Sequence, residues 1–158
     1  MLRNGRAMNG KIAVILGSKD DLPVVEEGIV ILDDLEVAYD LHIMSAHRNP
    51  DTLREYCVSM EEKGIRAVIA CAGRAAALPG FVASYSDVPV IGVALKGGLL
   101  DGLDALFSIV SVPKGLGLVC SGVGESAFFN AVIHALQILS LGSPEYRLKL
   151  KTAKERVT

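Results

Sequence analysis

The chain has 158 residues and a mass of 16.7 kDa, a size that fits one domain around one hydrophobic core. Hydrophobic residues make up 51% of it, but aromatic residues make up only 5% and Trp is absent. The core must therefore be built from aliphatic side chains, as in buried parallel strands. The net charge of −2 argues against nucleic acid or a membrane surface as the main partner.

Cysteine usage and hydropathy indicate a cytoplasmic protein. The three cysteines are odd in number and widely separated, which predicts neither a disulfide framework nor a metal site. No apolar run approaches the ~20 residues that a bilayer crossing needs, so no membrane partner is expected. Residues 1–10 are polar, lack the apolar stretch of a signal peptide and are expected to form a flexible extension.

Short apolar runs alternate with segments of helical spacing along the rest of the chain. Strands are predicted over 12–16, 37–43, 66–71, 88–95 and 116–120. Helices are predicted over 22–32, 49–60, 79–84, 103–110 and 124–139, the second of them opened by Asn49-Pro50 as cap and first turn. This alternation predicts an α/β fold for residues 11–140, namely a single-domain, three-layer, doubly wound parallel sheet of the flavodoxin or Rossmann type.

The tail, residues 141–158, is predicted to be a C-terminal helix extension that starts at Ser143-Pro144. Tyr146, Leu150 and Val157 form an approximate apolar stripe among Lys and Arg side chains. The stripe fits packing on the helix's own domain about as well as contact with a neighbouring subunit. We expect a subunit interface here, which would make the protein an oligomer.

Ligands bind outside the carboxyl ends of the strands in open parallel sheets, so the loops after the predicted strands form the candidate site. In the first loop, Gly17 permits close backbone approach and Ser18 offers a hydroxyl. The N-terminus of the following helix presents N–H groups to an anion. Asp20 or Asp21 could simply cap that helix, but a capping Asp can still accept a hydrogen bond from a sugar hydroxyl.

The second loop reads Ser45, Ala46, His47, Arg48. A His next to an Arg combines a group that titrates near neutrality with a planar fork that suits phosphate. A lone His is more often structural, but this one lies where the fold places active sites. We therefore interpret His47 as functional.

The third loop combines small residues with a single cation. Gly73, Ala75 and Ala77 leave room for a planar ring to lie against the backbone, with Arg74 and Leu78 beside them. The alternative is an ordinary turn from strand to helix, but this run of small residues with one Arg is hard to explain by turning alone.

The other reactive side chains are interpreted as structural. His42 lies within a strand and His134 within a helix, where packing or surface roles are typical. Cys71 and Cys120 precede strand-end loops but have no evident base, so they are expected to pack as apolar residues. The turn 96–98 is rich in Gly but is a weak signal by itself.

Together these loops give the chain its resemblance to a known family. The three loops, the strand over 88–93 and the segments 104–110 and 112–115 resemble, in order, those of the purine-biosynthetic aminoimidazole ribonucleotide carboxylase and N5-carboxyaminoimidazole ribonucleotide mutase family. The similarity runs from about residue 11 to residue 139. It implies an enzyme that makes 4-carboxy-5-aminoimidazole ribonucleotide.

The family has two activities, and the chain shares features with both branches. Mutases move a carboxylate from the exocyclic nitrogen of a carbamate to ring carbon 4, whereas carboxylases add CO2 to aminoimidazole ribonucleotide directly. Arg48 is typical of the mutases, since the direct carboxylases usually carry Lys there. Arg74, Ala77 and the segment 115–117 are similar to the direct branch. Direct carboxylation is our main interpretation, with the mutase as the alternative.

The resemblance also implies how the site works. The residues implied in phosphate binding are Ser18, Ser45 and Arg48. Asp21 would bind the ribose hydroxyls, the loop 73–78 would wall a pocket for CO2, and His47 would be the acid and base. The partners implied are a small ribonucleotide, CO2 and other copies of the chain in a homo-oligomer, an octamer or tetramer. No cofactor and no metal are implied.

One departure from the family favours a different interpretation. Asp20 stands where both branches usually carry Ser, and a carboxylate about 4 Å from a phosphate is unfavourable by roughly 1–4 kcal/mol. A paralogue that binds the phosphorylated ligand without turning it over is therefore a rival. A flavin carrier is a further possibility, which the scarcity of aromatic residues opposes.

Overall fold

The computed structural model describes residues 10–156, so most of the predicted extension and Val157 of the predicted stripe lie outside the described residues. The strands are β1 (Lys11–Leu16), β2 (Tyr39–Ile43), β3 (Ile65–Gly73), β4 (Val90–Leu95) and β5 (Leu118–Val123). The helices are α1 (Leu22–Asp34), α2 (Pro50–Val58), α3 (Leu78–Tyr85), α4 (Leu103–Val110), α5 (Glu125–Ser140) and α6 (Pro144–Glu155). The described strands form one parallel sheet in the order β2-β1-β3-β4-β5, which is the predicted doubly wound fold.

The sheet separates two apolar cores. Alternate residues of the central strands pack against α1, α5 and α6 on one face and against α2, α3 and α4 on the other. Residues 12–16 of β1 are all fully buried, because helices cover both of its faces. None of the helices in the described part of the chain combines the length and the apolar character that a membrane crossing requires.

Three strands begin two residues later than predicted, β4 at Val90 among them, and in β2 and β5 the reason is that the first apolar residues belong to turns. Val37 is buried, but its N–H donates to the carbonyl of Leu32 at the end of α1, so β2 starts at Tyr39. The N–H of Leu116 likewise donates to Pro113. β5 starts at Leu118 and continues to Val123, past the predicted end of the strand.

α6 packs on its own domain. The Tyr146 hydroxyl donates to the carbonyl of Gly10 at the start of β1, and Lys149 Nζ donates to the carbonyl of Glu36 at 2.8 Å. Arg156 forms an ion pair with Asp34 at 2.6 Å. This is one of the two arrangements that the sequence leaves open for the tail. Contact of α6 with a second subunit stays a prediction.

A glycine in α1 lets that helix approach α5 closely. A Cβ at Gly28 would overlap the Phe128 ring and lie 3.2 Å from Val132 Cγ2. Ala is better than Gly in a helix by about 1 kcal/mol, whereas overpacking a core costs about 1–3 kcal/mol. Because the overlap with the Phe128 ring is deep, the upper part of that range, about 2–3 kcal/mol, applies. Gly28→Ala should therefore lower the free energy of unfolding by about 1–2 kcal/mol in urea titrations. Glu27→Ala, on the exposed side of the same helix, is the control, and a Gly28→Ala protein as stable as that control would contradict the expected overlap.

Candidate active site

A cleft of about 660 Å³ opens at the carboxyl ends of the central strands. The chain leaves β1 toward β2 at one side of the sheet and later returns to β3 at the other side of β1. This reversal separates the loops after β1 and β3 and creates the crevice in which such sheets bind ligands. The loops after β1, β2, β3 and β4 all contribute to its wall.

All thirteen residues that the sequence singles out lie on the wall of this one cleft. They are Gly17, Ser18, Asp20, Asp21, Ser45, Ala46, His47, Arg48, Gly73, Arg74, Ala75, Ala77 and Leu78. Sequence reasoning missed five further lining residues, namely Val24, Ala72, Leu95, Lys96 and Gly97. The strand-end rule would have found Lys96, because β4 ends at Leu95. The part each residue plays in binding or chemistry stays a prediction.

The first loop is a reciprocally capped turn. Ser18 Oγ accepts a hydrogen bond from the N–H of Asp20 at 3.3 Å, and Asp21 Oδ2 accepts one from the N–H of Ser18 at 2.9 Å. Ser18 is therefore the N-cap of the 3-10 turn before α1, and Asp21 completes the capping box from within that turn. The second carboxylate oxygen of Asp21 is not used in that bond. The Asp20 carboxylate is exposed on the cleft wall and makes no hydrogen bond to the described residues.

Burial and charge act on Asp21 in opposite directions. Burial raises the pKa of its carboxyl above the ordinary value of 3.8, and the neighbouring charge of Asp20 raises the pKa further. The hydrogen bond from Ser18 and the positive charge of Arg48 lower the pKa, but the net shift is upward. Burial in the cleft therefore makes the ionised form of the Asp21 carboxyl less favourable.

Asp21→Asn should change the pH dependence of stability. Because the pKa of Asp21 is raised by folding, its favourable contribution is complete below pH 3.8 and is lost as pH rises through the raised pKa. The unfolding free energy of Asp21→Asn, relative to the unmodified protein, should therefore increase as pH rises from about 3.8 and then level off. Urea unfolding between about pH 3.5 and 7 measures this difference. A difference that stays constant, or falls with pH, would contradict the raised pKa.

The second loop is folded on Ser45. Ser45 Oγ accepts hydrogen bonds from the N–H groups of His47 and Arg48, both at 3.3 Å. Asn49 Oδ1 accepts one from the N–H of Ser45 at 2.7 Å, so Asn49 turns back to the loop and its side chain does not cap α2 as predicted. These bonds fix the backbone that carries His47, whose side chain is exposed on the cleft wall.

Arg48 joins the first two loops. Its Nη2 donates to the carbonyl of Gly17 at 2.8 Å, and the N–H of Gly17 donates to the carbonyl of Cys71 at 3.3 Å. A guanidinium has five N–H donors, and this bond uses one of them. The carbonyl of Gly17 therefore holds the Arg48 guanidinium at the cleft, and its other N–H donors remain for an anion.

The third loop puts a cation on strained backbone. Arg74 has a φ of 56°, in the left-handed region that non-Gly residues rarely adopt. The N–H groups of Ala76 and Ala77 donate to the carbonyls of Arg74 and Ala75, and α3 starts at Leu78 without a side-chain cap. Gly73, Ala75 and Ala77 all line the cleft, and the room they leave for a planar ring stays a prediction.

The other His and Cys side chains have structural surroundings. His42 packs edge-on against Tyr56 with ring centroids 4.4 Å apart, and burial lowers the pKa of His42. His134 contacts Gln137 at 3.2 Å on α5. Cys71 is fully buried, burial raises the pKa of its thiol, and Cys120 is half-buried. Among the described residues, no group of three or more His, Cys, Asp or Glu side chains is placed to hold a metal ion.

Comparisons with known proteins agree on one family. The family model described as AIR carboxylase matches residues 11–158. The N5-carboxyaminoimidazole ribonucleotide mutase of Pyrococcus abyssi is 46% identical over 92% of this chain and 82% of its own length. The protein of the same name from Thermotoga maritima is 44% identical over 93% of this chain and 85% of its own length.

A solved structure shares the fold. The crystal structure of Treponema denticola PurE superposes with a TM-score of 0.81 at 24% identity, and it covers 93% of this chain and 90% of its own. At that identity the likeness concerns the fold alone. The family model and the relatives together identify the chain as a member of the AIR carboxylase, or PurE, family.

Proposed function

We propose that the protein is an N5-carboxyaminoimidazole ribonucleotide mutase, which makes 4-carboxy-5-aminoimidazole ribonucleotide. Sequence reasoning favours direct carboxylation of aminoimidazole ribonucleotide and keeps the mutase as its alternative. The relatives support the alternative, because those at 46% and 44% identity both carry the mutase name. The pair His47-Arg48 in the second loop supports it as well.

The observation that carries this proposal is the single cleft that gathers all thirteen predicted residues. Ser18, Ser45 and Arg48 surround its phosphate end, where hydroxyl and guanidinium donors suit an anion. Asp21 lies beside them and accepts hydrogen bonds from the ribose hydroxyls. This arrangement leaves the imidazole ring of the ligand between the second and third loops, within reach of His47.

The chemistry needs one group that gives and takes a proton. In the mutase reaction the bond between the exocyclic nitrogen and the carboxyl carbon breaks, and the nitrogen gains a proton. Ring carbon 4, which is the electron-rich end of an enamine, then bonds to the released CO2 and loses its own proton. An imidazole with an ordinary pKa near 6.5 can supply the first proton and accept the second. His47 performs both steps, so no proton is gained or lost overall.

The third loop confines the CO2 between the two steps. Gly73, Ala75 and Ala77 give the cleft a low apolar wall, and Leu78 closes it at the start of α3. Exclusion of water keeps CO2 from hydration before carbon 4 reacts. Neither step draws on a cofactor, and a cofactor-free, cytoplasmic enzyme without nucleic-acid or membrane partners stays our prediction.

Direct carboxylation is the second candidate, and it rests on Arg74 and Ala77. Both residues line the cleft at the third loop, and both are similar to the carboxylase branch, since mutases normally have Gly and His at these positions. In this reaction the same attack by carbon 4 uses CO2 from solution. His47 again removes the proton from carbon 4.

Ultraviolet detection of product from purified protein distinguishes these candidates. One sample receives N5-carboxyaminoimidazole ribonucleotide at low bicarbonate, and the other receives aminoimidazole ribonucleotide with bicarbonate, each with an enzyme-free blank. The mutase predicts product in the first sample well before the second. Product only with bicarbonate would establish direct carboxylation. No product in either sample, with ligand still bound, would support the non-catalytic paralogue. Asp20 would then be the residue to test next.

We also propose that the protein is a homo-oligomer, an octamer or tetramer. Leu103, Phe107 and Val110 lie on one side of α4, and the last two are 60% and 55% exposed. Leu99 and Leu100, just before α4, are 77% and 76% exposed. Exposed apolar side chains grouped along one helix and the segment before it are typical of a subunit interface. Light scattering on the protein as it elutes from a size-exclusion column should give the mass of a tetramer or octamer. A 16.7 kDa species would contradict the proposal.

A further inference from the structure

Two cations follow the ends of the neighbouring strands β3 and β4 at the cleft. Gly73 and Leu95 are paired across β3 and β4, and the next residues along the two strands are Arg74 and Lys96. Both line the cleft and both are exposed. The sheet register therefore brings two positively charged residues to the ends of neighbouring strands on the wall of the same cleft.

The acidic residues of the cleft lie elsewhere. Asp20 and Asp21 belong to the first loop, and Arg48 is the cation that acts on Asp21. Arg74 and Lys96 form no ion pair or side-chain hydrogen bond with the residues described, 10–156. One end of the cleft thus has two carboxylates and one cation, and the other has two cations without an ion-pair partner among residues 10–156.

Both side chains are constrained, Arg74 by its backbone conformation and Lys96 by packing. Arg74 adopts a left-handed φ of 56°, a conformation that costs a non-Gly residue free energy and that marks functional loops. The aliphatic stem of Lys96 lies over Gly124, where a Cβ would be 3.3 Å from Lys96 Cε. Gly124 itself has a φ of 82° and donates its N–H to the carbonyl of Ala94 at 2.8 Å. Packing therefore limits the directions that the Lys96 side chain can take.

We propose that Lys96, together with Arg74, binds the carboxylate of the ribonucleotide and so determines specificity for the carboxylated ligand. The inference rests on the proposed function and deepens it. A carboxylated ribonucleotide is anionic at both ends, and the phosphate occupies the end with Ser18, Ser45 and Arg48. Its carboxylate then lies toward Arg74 and Lys96, which have no ion-pair partner among the described residues, and charge-assisted hydrogen bonds hold it there.

Binding measurements with two ligands that differ only in the carboxylate test this role. Titration calorimetry would compare 4-carboxy-5-aminoimidazole ribonucleotide with aminoimidazole ribonucleotide, first on the unmodified protein. Lys96→Met should weaken binding of the carboxylated ligand by about tenfold or more and change binding of the other by less than about twofold. Lys96→Arg should restore most of the preference, because it keeps the charge. Lys154→Met, an exposed Lys of α6, is the control.

Arg74→Gly is the second variant, and stability is its additional readout. It should reduce the same preference for the carboxylated ligand while the unfolding midpoint stays equal or rises, because Gly adopts the left-handed backbone without strain. An unmodified protein that binds both ligands, combined with equal losses or no loss in Lys96→Met, would overturn this inference alone. An unmodified protein that binds neither ligand would overturn the proposed function along with it.

Discussion

Replacement of His47 by Asn should lower turnover by about 10²–10⁴-fold, the usual contribution of one positioned acid and base. Asn keeps a polar side chain of similar size but cannot exchange a proton near neutral pH. The His47 side chain is exposed on the cleft wall, and its backbone is held by Ser45 rather than by the imidazole. Stability and ligand affinity should therefore change little, with affinity within about threefold of the unmodified protein.

Product formation and ligand binding, measured on the same preparation, check this expectation. His134→Asn is the matched control, because His134 lies on α5 outside the cleft. Turnover in His47→Asn equal to that of the control would remove His47 from the chemistry. A parallel loss of affinity and turnover would instead make His47 a binding residue.

Arg48→Met should raise KM by about 10–150-fold, the range expected when one charge-assisted hydrogen-bond partner of a phosphate is lost. Met keeps most of the volume of the stem but removes the guanidinium. The bond from Arg48 to the carbonyl of Gly17 is lost as well, so the first loop loses a support. The value of kcat should fall less than KM rises, because the proton transfer does not involve Arg48.

Steady-state kinetics on Arg48→Met and Arg54→Met separate local from general charge effects. Arg54 is an exposed Arg of α2 that does not line the cleft, so its loss removes the same net charge. A rise of KM in both variants would indicate long-range attraction of an anionic ligand. A fall of kcat alone in Arg48→Met would contradict a phosphate contact.

The centre of the sheet was predictable because its strands are buried on both faces. Burial on two faces requires continuous aliphatic runs, and these runs locate β1, β3 and β4 within two residues of their observed ends. The site was predictable for a related reason. Once the strands are located, the strand-end rule selects the loops, and all thirteen predicted residues lie on one cleft.

What the sequence did not predict depends on contacts between distant segments. Ser121 and Gly122 look like turn residues, yet β5 includes them because Val123 pairs with Ala94 of β4. Asn49 looks like a helix cap, but Ser45 offers its N–H to the same side chain at 2.7 Å. Local propensity describes each residue alone, and a partner elsewhere decides between its options.

Lys96 illustrates the same limit within the site. In sequence it precedes two glycines and indicates only a turn. Its significance comes from the register between β3 and β4, which puts it next to Arg74. The carboxyl donor is a similar case, because Arg48 resembles one branch of the family while Arg74 and Ala77 resemble the other. The choice between donors depends on how these side chains act together around one ligand.

A crystal structure of the protein with 4-carboxy-5-aminoimidazole ribonucleotide tests the central claim most directly. We predict that the ligand lies in the cleft with its phosphate on Ser18, Ser45 and Arg48 and with ring carbon 4 about 3–3.5 Å from the His47 imidazole. A ligand bound elsewhere, or one reversed so that its phosphate contacts Arg74, would contradict the claim.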